Sequence, residues 1–240
     1  RIRPPMPEFL LLGGMMVDRT DINHLLALTK SLASFKHSLK IIARHGMDRL
    51  SHPRGTRLVM GNALVARLLY SLSKHAHVTL VLNTSVKRFE RDASGVSGVM
   101  LQGQGGSRTV VATGGVVLSS GGFNRHPDLR AAMLPGADIG WCPAAPGHTA
   151  EAHALAKDAG AVYGQGALSN AFWAPVSLRQ RADGSTAVFP HFVMDRAKPG
   201  MLTVNRAGQR FVNESTSYHL FGMAMQSTGS VPAFLVCDAA

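Results

Sequence analysis

At 240 residues and 45 % hydrophobic content, the chain can bury a substantial core in one domain or two, which excludes a disordered polymer. No uninterrupted apolar run approaches the roughly 18 residues of a membrane-spanning helix, and the longest cluster, Phe9 to Val17, is broken by glycine. The formal charge of +11 raises the question of nucleic acid, but its cations are scattered singly, as at Arg44, Arg49, Arg54, Arg57, Arg67 and Lys74, without an aromatic-plus-basic platform, so nucleic acid is excluded as a partner.

Arg1 to Pro7 lacks the order of a secretion signal, and a chain that opens on Arg1 is expected to be an internal piece of a longer protein. From Asp21 to His45 the residues Ile22, Leu25, Leu26, Leu28, Leu32, Phe35, Leu39 and Ile42 recur every three to four positions. This predicts one amphipathic helix, capped by Asp21 and stopped by Gly46. His24, His37 and His45 ride on it without converging on one face. A second helix is expected from about Asn62 to Ala76, with Leu64, Val65, Leu68, Leu69 and Leu72 as its buried stripe. Val78 to Leu82 is a short run of strand type. Ser85 to Arg91, Val96 to Gln102 and Arg108 to Thr113 predict an antiparallel meander, punctuated by Ala93-Ser94-Gly95 and by the Gly103 to Gly106 turn. Val116 to Ser120 predicts a further strand, too apolar for either face to meet water, ending in Gly121-Gly122. Helices are expected at Asp128 to Met133 and Thr149 to Ala159. Arg179 to Ser185 is expected as a loop between strands, with short strands around Met201 to Asn205 and Phe234 to Cys237. The shift to aromatics and prolines at Phe172 marks a domain boundary, dividing 1–172 from 173–240.

Cys142 and Cys237 lie far apart, with no Cys-x-x-Cys spacing and no histidines at metal-ligand distance, so idle thiols in a reducing, cytoplasmic setting and no metal site are expected. Gly61-Asn62-Ala63-Leu64 stands where a helix begins. The free amides and positive dipole end there can accept an anionic oxygen, or the segment is a helix start that binds nothing. In Val117-Leu118-Ser119-Ser120-Gly121-Gly122-Phe123, a buried strand ends in two glycines. Backbone without Cβ atoms lets a flat or phosphorylated ligand approach, although an ordinary turn has the same composition. No Gly-x-Gly-x-x-Gly follows a strand, and Gly103, Gly105 and Gly106 belong to a hairpin loop.

The order of these parts is more specific than any one of them. Ser119 to Phe123 looks like an Ala-Thr-Gly-Gly-Phe segment, and Gly208-Gln209-Arg210-Phe211-Val212-Asn213-Glu214 looks like Gly-x-Arg-Phe-x-Asn-Glu. Together with the Asn83-Thr84-Ser85-Val86 corner and the meander, they resemble the flavoprotein superfamily of fumarate reductases and 3-ketosteroid 1-dehydrogenases, from about Gly55 to Ala240. The resemblance implies a mixed α/β fold. Residues 1–172 would form a partial, Rossmann-like FAD-binding domain without its ADP-gripping unit, and 173–240 the start of an α+β domain that caps the substrate.

On the same resemblance, Gly61, Asn62, Ala63 and Leu64, the corner at Ser85 and Val86, and Ser119, Ser120, Gly121, Gly122 and Phe123 would line FAD. Pro146 to Ala152 stands where relatives carry Asn-Thr-Gly-Asp-Gly, with Glu151 for the aspartate and alanines for both glycines. Fumarate reductases follow Asn-Glu with Thr-Thr-Arg-Asp, whose arginine donates a proton. Here Asn213-Glu214-Ser215-Thr216-Ser217-Tyr218 follows the ketosteroid branch, in which the tyrosine accepts a proton. Because tyrosine ordinarily ionises near pH 10, that role needs a donor or cation to hold the phenolate; a buried aromatic with a locally satisfied hydroxyl is the competing reading. Asp195-Arg196 falls near the fumarate enzymes' proton-relay positions but is expected as a surface ion pair, and His191 is similarly open. The implied activity is hydride transfer from a ketone, steroid-like or otherwise cyclic, to FAD, with a small-molecule substrate and a separate electron acceptor as partners. A fumarate- or succinate-type reductase and a folded fragment without activity of its own are the alternatives.

Overall fold

The structure, a computed structural model, describes residues 2–164 and 169–238. The chain divides into two compact units, Arg1–Leu82 and Asn83–Ala240.

The first unit opens with a two-residue antiparallel pairing of β1 (Leu10–Leu11) and β2 (Met15–Met16). Its tight turn uses Gly14 at φ 146, where a Cβ would lie 2.8 Å from the Cβ of Arg54. Two helices follow in place of the single one expected. α1 (Arg19–Leu26) begins two residues before Asp21, with Asp18 as its cap; the Asp18 side chain accepts from the Asp21 amide at 3.0 Å, and Asp21 returns the contact by accepting from the Asp18 amide at 2.9 Å. The chain then turns, and Ser31 caps α2 (Leu32–Ser51) by accepting from the Ser34 amide. A serine cap in the middle of the leucine pattern therefore outweighs the continuity of that pattern. Gly46 does not stop α2, which runs to Ser51, just before Pro53.

The face of α2 that packs is also the opposite of the one its leucines suggest. Ser34, Ser38 and His45 are buried, whereas Leu32 and Leu39 are 69 % and 55 % exposed. Polar bonding accounts for Ser34 and for His45, whose Nε2 meets the Leu12 carbonyl at 3.0 Å, but not for Ser38, whose buried hydroxyl has no partner among the described residues. Asp21, almost wholly buried, receives His37 Nε2 at 2.8 Å and the Arg57 guanidinium, and Arg57 also binds Asp18 at 3.0 Å. His24 Nδ1 meets Ser34 Oγ at 3.1 Å and its ring lies 4.4 Å from that of His37. This cluster ties α1 to α2 through ionic and hydrogen-bonded contacts. α3 (Met60–Leu72) keeps its helical period, but Leu64, Val65, Leu68, Leu69 and Leu72, expected as a buried stripe, are exposed.

Burial pushes the Asp21 carboxyl up, but the Asp18 amide, Arg57 and His37 outweigh it and hold the group at about 2, against an ordinary 3.8. A depressed acid stabilises the fold above its unfolded pKa and loses that contribution as pH falls towards its folded one. Acid titration followed by circular dichroism should therefore show the first unit losing stability between pH 3.8 and about 2, and Asp21→Asn should remove that dependence.

The second unit starts with the expected meander: β3 (Ser85–Asp92), β4 (Gly95–Gly103) and β5 (Gly106–Val111), paired antiparallel in the order β3-β4-β5. Phe89 faces Val99, and Val99 faces Val110. Gly98 is required by close approach, since a Cβ there would sit 2.6 Å from the Val110 carbonyl oxygen. Val78 to Leu82 and Val116 to Ser120 are not strands. Both are apolar, but an apolar run becomes a sheet strand only where a neighbouring strand pairs with it along its length, and among the described residues neither run belongs to a sheet.

α4 (Pro127–Met133), with Pro127 at its first position, and α5 (Glu151–Asp158) follow as expected. A core cluster of this unit is formed by Phe123, Leu134 and Ala150, flanked by Leu129 and Met133 of α4 and by Ala171 and Trp173. Buried Arg130 closes the 124–138 loop by donating to the carbonyls of Asn124, Ala137 and Asp138 at 3.0 to 3.1 Å. β6 (Val176–Gln180) and β7 (Thr186–Pro190) form a hairpin around the expected polar loop. The short α6 (Val193–Arg196) precedes β8 (Met201–Val204), α7 (Tyr218–Ser227) and β9 (Phe234–Cys237), with β8 and β9 antiparallel.

Candidate functional site

The expected site residues fall in both units. In the first, Met60 at φ 50 turns the chain into α3, whose capping residue Val59 offers no side-chain acceptor. The first-turn amides at Gly61 and Asn62 are therefore not taken up by a side-chain cap, whereas the Ala63 amide, just before Leu64, already donates to the Val59 carbonyl at 3.3 Å; beyond its chain neighbours and its own helix backbone, nothing lies within 4 Å of where a Gly61 Cβ would stand. Asn62 donates through Nδ2 to the Arg3 carbonyl at 3.0 Å, so its side chain braces the local chain.

In the second unit, Ser119 and Ser120 are exposed, Gly121 turns at φ 93, and Phe123 drops into the core. Two histidines support this turn. His148 packs where a Gly121 Cβ would fall, 2.8 Å from its ring. His153, on α5, meets the Gly121 carbonyl through Nε2 at 3.3 Å and the Tyr163 hydroxyl through Nδ1 at 3.0 Å. A carbonyl only accepts, so Nε2 carries the proton and Tyr163 donates to Nδ1. α5 also packs against β3, so the helix that braces the Gly121 turn also contacts the strand that begins with Ser85 and Val86, both exposed. Ala150, the residue before α5, holds φ 61 and ψ 18, a left-handed conformation that favours glycine; the turn survives the alanine. Gly121→Ala combines that same backbone penalty with a clash against His148, and the loss should be about 1–3 kcal/mol, read by thermal denaturation.

Tyr218 is the first residue of α7, 41 % exposed, with Ser217 capping the helix by accepting from the Leu220 amide. The segment before it has little regular structure and is held by side chains. Asn205 accepts from the amides of Ala207 and Gln209, shaping the turn at Gly208. Glu214, 5 % exposed, receives Arg210 on both carboxylate oxygens and the Thr203 amide at 2.8 Å. The Arg210 guanidinium first, and the Thr203 amide with it, hold the Glu214 carboxyl at about 2 against the pull of burial. The neighbours of Tyr218 are aromatic: Phe192 stands edge-on at 5.8 Å, and His219 accepts from the Trp173 amide at 3.2 Å. Trp173 packs on the core that contains Phe123 and fills the space beside Gly222 of α7, so one side chain links the Tyr218 helix to the base of the Gly121 turn.

Asp195-Arg196 is not a surface ion pair. Asp195 accepts from the Phe192 amide, while Arg196 is 2 % exposed and donates inward to the Glu214 and Thr216 carbonyls. Burial lowers the Arg196 pKa from its ordinary value, and the Glu214 carboxylate opposes that shift. His191 is engaged with Ser177 Oγ at 2.9 Å within the β6-β7 hairpin.

Comparison with known proteins is decided by one match: the FAD binding domain family covers residues 7–239. The chain belongs to this family. It is 31 % identical over 228 residues to 4-oxocyclohex-2-ene-1-carboxylate 5-dehydrogenase of Sinomonas cyclohexanicum, a match that covers 93 % of this chain and 38 % of that protein. It is 29 % identical to 3-oxosteroid 1-dehydrogenase of Mycolicibacterium smegmatis, over 94 % of this chain and 40 % of the relative. Among solved structures, 3-ketosteroid delta1-dehydrogenase from Sterolibacterium denitrificans, in complex with 1,4-androstadiene-3,17-dione, matches with a TM-score of 0.73 at 27 % identity. That match covers 97 % of this chain and 42 % of the other. The chain thus spans about two fifths of the length of the dehydrogenases it resembles. Among the described residues, no helix is long and apolar enough to cross a membrane.

Proposed function

We propose that the chain is part of an FAD-dependent dehydrogenase that takes hydrogen from a six-membered ring ketone, steroid-like or smaller, with Tyr218 as the proton acceptor. The observation that carries this reading is Tyr218 itself: an exposed tyrosine at a capped helix start, on a segment fixed by Glu214, in a family whose similar members act on oxo-substituted rings. The cofactor reading is supported by two local features. The α3 start leaves first-turn amides without a side-chain cap, which suits an anionic oxygen. The Gly121 turn presents backbone beside exposed Ser119 and Ser120, with its shape held from behind by His148 and His153.

FAD, when bound, supplies the hydride acceptor. The chain's own part is proton chemistry and positioning. A hydrogen on the carbon next to the ketone would leave as a proton to Tyr218 in its phenolate form, while the neighbouring carbon gives up hydride, and a carbon–carbon double bond forms. In this reading residues 1–172 serve FAD and 173–240 begin the portion that covers the substrate.

Equilibrium dialysis tests the cofactor assignment. The full-length protein should purify with flavin, and the isolated 240-residue chain, which has no Gly-x-Gly-x-x-Gly after a strand, should bind FAD only weakly. A full-length protein without flavin that fails to take up added FAD would overturn the proposal.

A further inference from the structure

We infer that Arg196 is the positioning residue for Tyr218. The inference rests on the assignment of Tyr218 as proton acceptor and extends it to the group that sets where that tyrosine stands.

The geometry is local and specific. Backbone 211–217 runs without helix or strand between the Arg210 bridge and the Ser217 cap, so its path depends on side-chain contacts. Arg196 provides two of them. Its guanidinium donates through one terminal nitrogen to the Glu214 carbonyl and through the other to the Thr216 carbonyl at 2.8 Å. The latter residue is two positions before Tyr218. The same guanidinium lies over the Phe221 ring, with its central carbon 4.3 Å from the centroid, and Phe221 sits one turn into the helix that Tyr218 begins. One planar group therefore holds the approach to α7 and its first turn together. Only arginine offers paired donors and a flat face for this purpose.

A second contact leads from the same short helix to the same tyrosine. Phe192, the residue before α6, places its ring edge-on to Tyr218 at 5.8 Å, and Asp195 fixes Phe192 by accepting its amide at 3.1 Å. α6 and its cap thus meet the Tyr218 segment on both backbone and ring. Burying a guanidinium is costly, and spending it on carbonyls rather than a carboxylate makes sense where a backbone path has to be held. A misplacement of about 1 Å at a reacting group can cost on the order of 100-fold in rate.

The test is a double-mutant cycle in the flavin-loaded full-length protein with a ring ketone substrate, flavin content being checked by absorbance. Arg196→Met keeps a long side chain against Phe221 and removes both carbonyl contacts. We expect kcat to fall by about 10- to 100-fold with KM within about threefold. Arg196→Lys should restore part of the rate. In the Tyr218→Phe background, Arg196→Met should cause no further loss, because the positioned hydroxyl is already gone. Turnover of Arg196→Met within about threefold of wild type would overturn the inference, as would the same fold-loss in both backgrounds, which marks a general structural effect. Should Arg196→Met fail to fold, Arg196→Lys decides alone: a partial loss that vanishes in the Tyr218→Phe background supports positioning, and a wild-type rate or an undiminished loss refutes it. The two assignments fail differently. Tyr218→Phe at wild-type rate removes the Tyr218 reading and this inference with it, whereas a slow Tyr218→Phe beside a fast Arg196→Met removes the inference alone.

Discussion

Tyr218→Phe in the flavin-loaded full-length protein should lower kcat on a ring ketone by at least about 100-fold, the scale of general-base assistance, with a much smaller change in KM. The substitution keeps the ring, and with it the edge contact to Phe192 and the helix start at Ser217. It removes only the hydroxyl, so a loss of rate with unchanged flavin content belongs to chemistry. If the ring merely packs, the variant should keep its rate, and turnover within about threefold of wild type would show that Tyr218 is not the base.

Glu214→Gln should cost about 2–3 kcal/mol of stability, the scale for losing charge-assisted hydrogen bonds at a buried group. The carboxylate accepts from Arg210 and the Thr203 amide together, and its own carbonyl is held by Arg196, so one residue gathers β8, the Gly208 turn and the approach to α7. The pH dependence supplies an independent signature. Glu214 ordinarily titrates at 4.5 and is held at about 2 when folded, so its stabilisation is complete above pH 4.5 and is lost as pH falls from there to about 2. Denaturant melts across that window should show the wild-type slope and a flatter one in Glu214→Gln. A variant with unchanged stability and an unchanged slope would mean that Glu214 fixes nothing.

These two residues also show what could be read before any coordinates. The Gly-x-Arg-Phe-x-Asn-Glu segment was legible as a likeness, and the contacts the structure adds to it are local: Asn205 and Gly208 make a turn, and Arg210 and Glu214 pair four residues apart. The meander was legible for the same reason, since strand alternation and the glycine turns act between neighbours in sequence. What escaped were choices settled at a distance. α2 turns its Ser34 side inward, where Ser34 meets His24, His37 meets Asp21 and His45 meets the Leu12 carbonyl, and no periodicity of leucines announces it. His153 and Arg196 acquire their roles from carbonyls 32 and 18–20 residues away. Val78 to Leu82 and Val116 to Ser120 read as strands from composition, yet a strand is defined by its partner, which local sequence does not contain.

The most direct measurement is anaerobic mixing of the flavin-loaded full-length protein with substrate while the long-wavelength flavin absorbance is followed. A six-membered ring ketone such as a 3-oxosteroid or 4-oxocyclohexanecarboxylate should bleach the flavin within a turnover and leave a ring with a new double bond beside its carbonyl, and Tyr218→Phe should slow that bleaching. Flavin that stays oxidised with every ring ketone, or that is reduced by succinate instead, would contradict the account.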